Sequence, residues 1–104
     1  MSKQVLAHVH FLSLLISCEE EQKIALLKTM NDKQFQLLVE CFLNVLCGVF
    51  PLSQSDKKKL MRYKNIIRKI TDRETTRIQR KKLLLKYRNI ISIIVKQILD
   101  TISK

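Results

Sequence analysis

Glycine and proline are nearly missing: the chain of 104 residues has one of each. A loop that cradles phosphate needs glycine so that backbone N–H groups can approach the ligand, which excludes a P-loop or a dinucleotide fingerprint. Tight turns use the same two residues, so their scarcity also argues against an all-β fold and for long helices. Cysteine is sparse as well. Cys18, Cys41 and Cys47 are odd in number and lack CxxC spacing, which predicts no disulfide framework and an intracellular, reducing setting rather than secretion. Cys41 and Cys47 lie in an apolar run and read as small hydrophobes.

Other chemistry is thin. His8 and His10 are the only histidines, and on a helix they point about 200° apart, which gives no metal site. A Cys–His nucleophile pair is arithmetically available, but the apolar settings of these residues predict structural roles. Glu19, Glu20 and Glu21 read as acids at a helix start. The expectation is therefore a protein that is not an enzyme and holds no cofactor. No run of about 18 uninterrupted apolar residues suggests a membrane span. The segment VLAHVHFLSLLISC has two histidines and a single preceding Lys3, so it reads as a first core helix rather than a signal peptide.

What the chain has in excess is positive charge, unevenly placed. The net charge is +11. Residues 1–54 carry four basic and five acidic side chains, whereas residues 55–104 carry sixteen basic and four acidic ones. Between Lys57 and Thr71 there is no acid at all. A solvated helix ordinarily mixes Glu with Lys, because i,i+4 pairs stabilise it, and crowding of one sign costs stability. Such a segment points to a polyanionic partner.

Hydrophobic spacing organises the chain into one all-α domain, 1–104, a compact bundle of four to five helices whose last one or two are long and basic-amphipathic. Residues 1–50 read as near-neutral apolar core helices and 53–104 as basic ones. Val5, Leu6, Val9, Leu12, Leu15 and Ile16 recur at helical spacing. Ser17 with Glu20 reads as a capping box opening a short helix over 18–30, with Ile24, Leu27 and Met30 turned inward. Asn31 and Asp32 punctuate. Lys33 to Cys47 then carries a stripe of Phe35, Leu38, Val39, Phe42, Val45 and Leu46 and reads as the central helix. Gly48 falls where a left-handed C-cap belongs, and Val49, Phe50 and Pro51 turn the chain.

Ser53 with Asp56 reads as a second cap. Beyond it Leu60, Tyr63, Ile66, Ile67 and Ile70 gather on one helix face, opposite the cations. Asp72 and Thr75-Thr76 mark a break or a new start. Leu83, Leu84, Tyr87, Ile90, Ile91, Ile94, Val95, Ile98 and Ile102 form a broad stripe, on one helix over 73–104 or on two pieces joined near residue 76.

The segments Leu38-Val39-Glu40-Cys41, Asn44-Val45-Leu46-Cys47-Gly48, Pro51-Leu52-Ser53, Lys57-Lys58-Lys59-Leu60 and Arg62-Tyr63-Lys64, with Leu26-Leu27-Lys28 and Ile67-Arg68, carry a resemblance. Over roughly residues 24–85 the chain resembles small basic proteins encoded by Polinton/Maverick-type elements and adintovirus-like DNA viruses. The resemblance implies a viral or mobile-element protein of the virion or host nucleus that handles double-stranded DNA. Many of those proteins continue into a glycine-rich apolar tail, whereas Leu85-Lys86-Tyr87-Arg88 here leads into a regular amphipathic helix.

The expected function is binding of nucleic acid, DNA before RNA, through the phosphate backbone and without strong sequence preference. The candidate contacts are Lys57, Lys58, Arg62, Lys64, Arg68 and Lys69 on one helix. Arg73, Arg77, Arg80, Lys81, Lys82 and Lys86 supply the next. Tyr63 and Tyr87 read as core residues rather than base-stacking platforms. Two other readings stand beside this one. The apolar stripes of 33–47 or 83–102 could serve an oligomer or a partner helix. The C-terminal amphipathic stretch could lie on an anionic membrane, although such a stripe is more often core.

Overall fold

The computed structural model describes residues 8–48 and 52–102, and these contain seven helices and no strand. They are α1 (Val9–Ser17), α2 (Glu20–Thr29), α3 (Asp32–Leu46), α4 (Gln54–Met61), α5 (Lys64–Thr71), α6 (Arg77–Lys86) and α7 (Arg88–Ile102). Val5, Leu6 and the turn at 49–51 lie outside the described residues.

Local chemistry explains most of the boundaries. Asn31 caps α3 with a reciprocal pair: its side chain accepts from the Gln34 N–H at 2.9 Å, and the Gln34 side chain accepts from the Asn31 N–H at 3.0 Å. Two orphan donors of the helix start are satisfied at once. At the other end Gly48 takes φ +71°, and its N–H donates to the Val45 carbonyl at 3.1 Å, the left-handed ending that glycine permits. Ser53 accepts from the Asp56 N–H at 3.1 Å to start α4, and Thr76 accepts from the Gln79 N–H at 3.2 Å to start α6. The cap expected at Ser17 does not form. Its hydroxyl donates back to the Ser13 carbonyl at 2.8 Å, and the N-cap of α2 is Glu19, without a side-chain bond. A serine at the end of one helix can bond the turn behind it instead of the turn ahead.

The four to five expected helices become seven because two basic stretches divide without glycine or proline. One break falls at Arg62-Tyr63 and the other at Tyr87. Both tyrosines leave helical geometry, Tyr63 at φ −110°, ψ 15° and Tyr87 at φ −110°, ψ 38°. Their rings meet edge-on, with centroids 5.8 Å apart and planes at 62°. The tertiary contact overrides a weak helix preference at both positions. The break or new start expected at Asp72 and Thr75-Thr76 is present, with Thr76 capping α6, and the stretch after it divides once more at Tyr87.

The core draws on both halves of the chain. α3 buries Phe35, Leu37, Leu38, Val39, Cys41 and Phe42, and α7 buries Ile90, Ile91, Ile94, Val95 and Ile98. Leu12 and Leu15 of α1, Leu27 and Met30 from the α2 end, Leu60, Ile67, Ile70 and Leu84 complete it. α1 packs along α7, α3 lies against α5 and α7, and α6 lies against α2, α5 and α7. The N-terminal helices therefore do not form the core alone. The basic segment contributes the apolar faces of α5 and α6, and each fully buried Leu or Ile is worth about 1.5–3 kcal/mol. The stripes of α3 and α7 mostly face this interior, which leaves Leu43 and Leu46 as the exposed apolar residues of α3. Cys47, expected inside, is exposed, while Cys41 is buried; all three cysteines are free thiols.

Candidate nucleic-acid interface

α5 shows how the fold sorts charge. Ile67 and Ile70 are buried and Arg68 projects away from them, as a period of about 100° per residue requires, whereas Lys64, one turn before Ile67, borders the same groove as Ile67 rather than the far side. Lys69 stands on the flank, next to α6. There Lys69 and, from α6, Lys82 and Lys86 line an open groove of about 520 Å³ together with Thr75, Gln79 and Leu83. The one acid in this groove is Asp72, whose Oδ1 already accepts from the Glu74 N–H at 3.0 Å. Three lysines from two helices thus line one groove in which a phosphate could lie.

The twelve expected contacts divide into distinct environments. Lys57, Lys58, Arg62, Lys64, Arg68, Lys69, Arg73, Arg77, Lys82 and Lys86 are exposed. Lys81 is half-buried, and its Nζ donates to the Lys28 carbonyl at 2.6 Å. Arg80 is buried, with 8% of its surface exposed. Its Nε donates to the Asp72 carbonyl at 2.9 Å, and Nη2 donates to the same oxygen. The expectation that Arg80 faces a phosphate is corrected: it ties the last turn of α5 to the middle of α6. A guanidinium has five donors and a long apolar stem, which lets it serve as a buried strut where a carbonyl is at hand.

Carboxylates claim few of the remaining cations. Among the described residues the ion pairs are Arg77 with Asp32 and Arg88 with Glu20. Arg77 also lies 5.2 Å from the Phe35 ring centre, and Lys86 lies 5.5 Å from that of Tyr87. α4 fans its lysines rather than aligning them. Lys57 borders an apolar groove with Met61 and Lys64, while Lys59 enters a cleft with Asp56, Lys96 and Asp100. Lys58, Arg62, Arg68 and Arg73 are solvent-facing and line neither the α5–α6 groove nor the Lys57 groove.

Sequence reasoning missed a second polar cleft, formed by Glu20, Lys23, Lys86, Arg88, Asn89 and Ser92. Lys23 Nζ donates to Ser92 Oγ at 3.1 Å, across 69 positions of sequence. No local spacing could have shown that contact. Lys86 borders both this cleft and the α5–α6 groove. The tyrosines are half-buried against the core and against each other.

No group of three or more His, Cys, Asp or Glu is placed to hold a metal among the described residues, and none of their helices is long and apolar enough to cross a membrane. Comparison with models of protein families, with curated proteins and with solved structures finds no match.

Proposed function

We propose that the protein binds the phosphate backbone of nucleic acid, DNA before RNA, through the outward cations of α4, α5 and α6, without an enzymatic step. One observation carries this reading: eleven exposed cations lie from Lys57 to Lys86, and of these eleven only Arg77 is paired with a carboxylate among the described residues. Like charges left together oppose folding, and a polyanion relieves the repulsion. Each phosphate neutralised by an amine or guanidinium releases condensed counterions, so affinity falls steeply with salt.

The stretch over residues 24–85 that resembles Polinton- and adintovirus-type proteins gives the reading a setting. It is packaging or condensation of a viral or mobile-element genome, in the host nucleus or the virion. The variant Arg62→Glu/Arg68→Glu/Lys69→Glu tests the proposal. All three side chains are exposed, so helicity by circular dichroism should be retained while gel retardation of duplex DNA is lost. For six or more phosphate contacts, wild-type affinity should drop by about 10³-fold or more between about 50 and 200 mM salt. Retention of DNA by the folded triple variant at moderate salt would refute the reading.

A further inference from the structure

We propose that α6 enters the major groove of B-form DNA and that Ile78, Gln79 and Lys82 meet base edges there. The proposal rests on the DNA reading above and goes beyond it, because backbone binding needs only charge. Base reading needs a helix held at a fixed angle with its outer row standing clear of the fold.

The angle is fixed from within. α5, the connection over 72–76 and α6 follow one another as two helices in contact, the order of elements in which a second helix can be offered to the major groove. The Asp72 carbonyl is the hub of the connection. It accepts from Arg80 Nε at 2.9 Å and from the Thr75 N–H at 3.2 Å. Arg80 and Leu84 are buried on the inner side of α6, with Leu84 at 0% exposure.

The outer row is different in kind from the rest of the basic surface. Ile78 is 70% exposed, the most exposed of the large hydrophobic side chains among the described residues. Lys82 and Lys86 follow it at four-residue intervals, and Gln79 stands beside it, also exposed. An isoleucine there serves neither the core nor the solvation of neighbouring cations. The thymine 5-methyl is the one apolar group that base pairs display in the major groove, and glutamine and lysine match adenine and guanine edges. A helix of ten residues is about 15 Å long and 10–12 Å across, and the groove of B-DNA is about 12 Å wide. Lys69 across the flanking groove and Arg73 at the turn are placed to hold the phosphates on either side. The deep, narrow major groove of A-form RNA does not admit a helix, so the proposal also commits to DNA.

The experiment is selection of duplexes from a random-sequence DNA pool by the full chain at about 150 mM salt, where non-specific attraction is screened beyond roughly 8 Å. The expected result is an enriched motif containing thymine. Replacing that thymine by uracil removes one methyl group and should weaken wild-type binding about threefold to fivefold. Ile78→Ala, exposed and therefore still folded, should bind thymine and uracil versions alike. An RNA duplex of the same sequence should bind at least about tenfold more weakly. DNA retention with no enriched motif, uracil indifference of the wild type, or equal binding of the RNA duplex would overturn this proposal and leave backbone binding standing. Failure to retain any duplex would overturn both.

Discussion

α3 and α6 sit in the same small body under opposite constraints. α3 has 15 residues, a reciprocal cap at its start, a glycine at its end and a single cation, Lys33. α6 has 10 residues, a single-sided cap at Thr76, five cations and no acid in its first turn. Arg77 even opens it, against the preference of a helix N-terminus for negative charge. Isolated helices of this length are marginal in water, so α6 persists because others hold it. Leu84 is buried, Arg80 donates to the Asp72 carbonyl and Lys81 donates to the Lys28 carbonyl. The cations the fold uses there are satisfied by backbone oxygens, which leaves Lys82 and Lys86 outward and without a carboxylate ion pair, while Arg77 pairs with Asp32. Stability and presentation are thus assigned to different side chains of one short helix.

The deepest test of that division is in α3. Phe42 is wholly buried, and Phe42→Ala should cost about 3–5 kcal/mol, read by urea or guanidinium titration. Lys82→Ala should leave stability within about 0.5 kcal/mol and weaken DNA binding. A Lys82→Ala loss comparable to that of Phe42→Ala would remove the distinction. The dryness of α3 can be read without mutation. Burial pushes the Cys41 thiol from 9.0 up to about 12, with Glu40 adding to the shift, whereas Cys47 is exposed. The thiolate is the reactive form, so Cys47 should alkylate at pH 8 while Cys41 stays intact by mass spectrometry. The pKa is raised in the folded state, so Cys41 contributes no pH penalty below about 9. Stability should then fall as pH rises from about 9 towards about 12, read as the midpoint of denaturant unfolding.

Arg80 is the exception among the cations, and its loss should separate the two duties of α6. Arg80→Ala removes two charge-assisted donors from the Asp72 carbonyl, which keeps the Thr75 N–H, and should destabilise by about 1–3 kcal/mol. Arg80→Lys should recover only part of this, because an ammonium lacks the planar fork. Hydrogen exchange should report the opening of α6 and of the 72–76 connection before α3. If Arg80→Ala instead leaves stability unchanged and weakens DNA binding as Lys82→Ala does, the strut assignment fails.

Much of this was readable beforehand. The cap at Ser53 and the left-handed Gly48 are local chemistry that local spacing reports, whereas Asn31 and Thr76 read in sequence only as boundaries and the cap expected at Ser17 does not form. The buried faces of α5 and α7 followed from period, and that of α3 in part: Leu46 of its stripe is exposed, while Leu37, outside it, is buried. The two tyrosine breaks did not, because each depends on a partner ring 24 positions away. Arg80 was read as one more outward cation because the positions around it are basic. Its burial follows from the phase of α6 against α2 and α5, which composition does not reveal. Ile78 carries a usable signal, as an apolar residue outside the stripe of Leu84 and its neighbours.

The border between the two regions offers the smallest and most delicate test. Arg77 pairs with Asp32 at the start of α3 and stacks near Phe35, yet the two charged side chains are 46% and 79% exposed. Exposed pairs of this kind are worth about 0.2–1 kcal/mol and weaken with salt. A double-mutant cycle of Arg77→Ala and Asp32→Asn should therefore give a coupling in that range. The same pair sets a competition, because a guanidinium held by a carboxylate is less available to a phosphate. Asp32→Asn should raise affinity for duplex DNA about twofold, consistent with a few tenths of a kcal/mol. That gain should vanish when Arg77 is alanine. If Asp32→Asn changes DNA affinity equally in both backgrounds, Arg77 makes no phosphate contact. The interface would then end at the α5–α6 groove and not reach the first turn of α6.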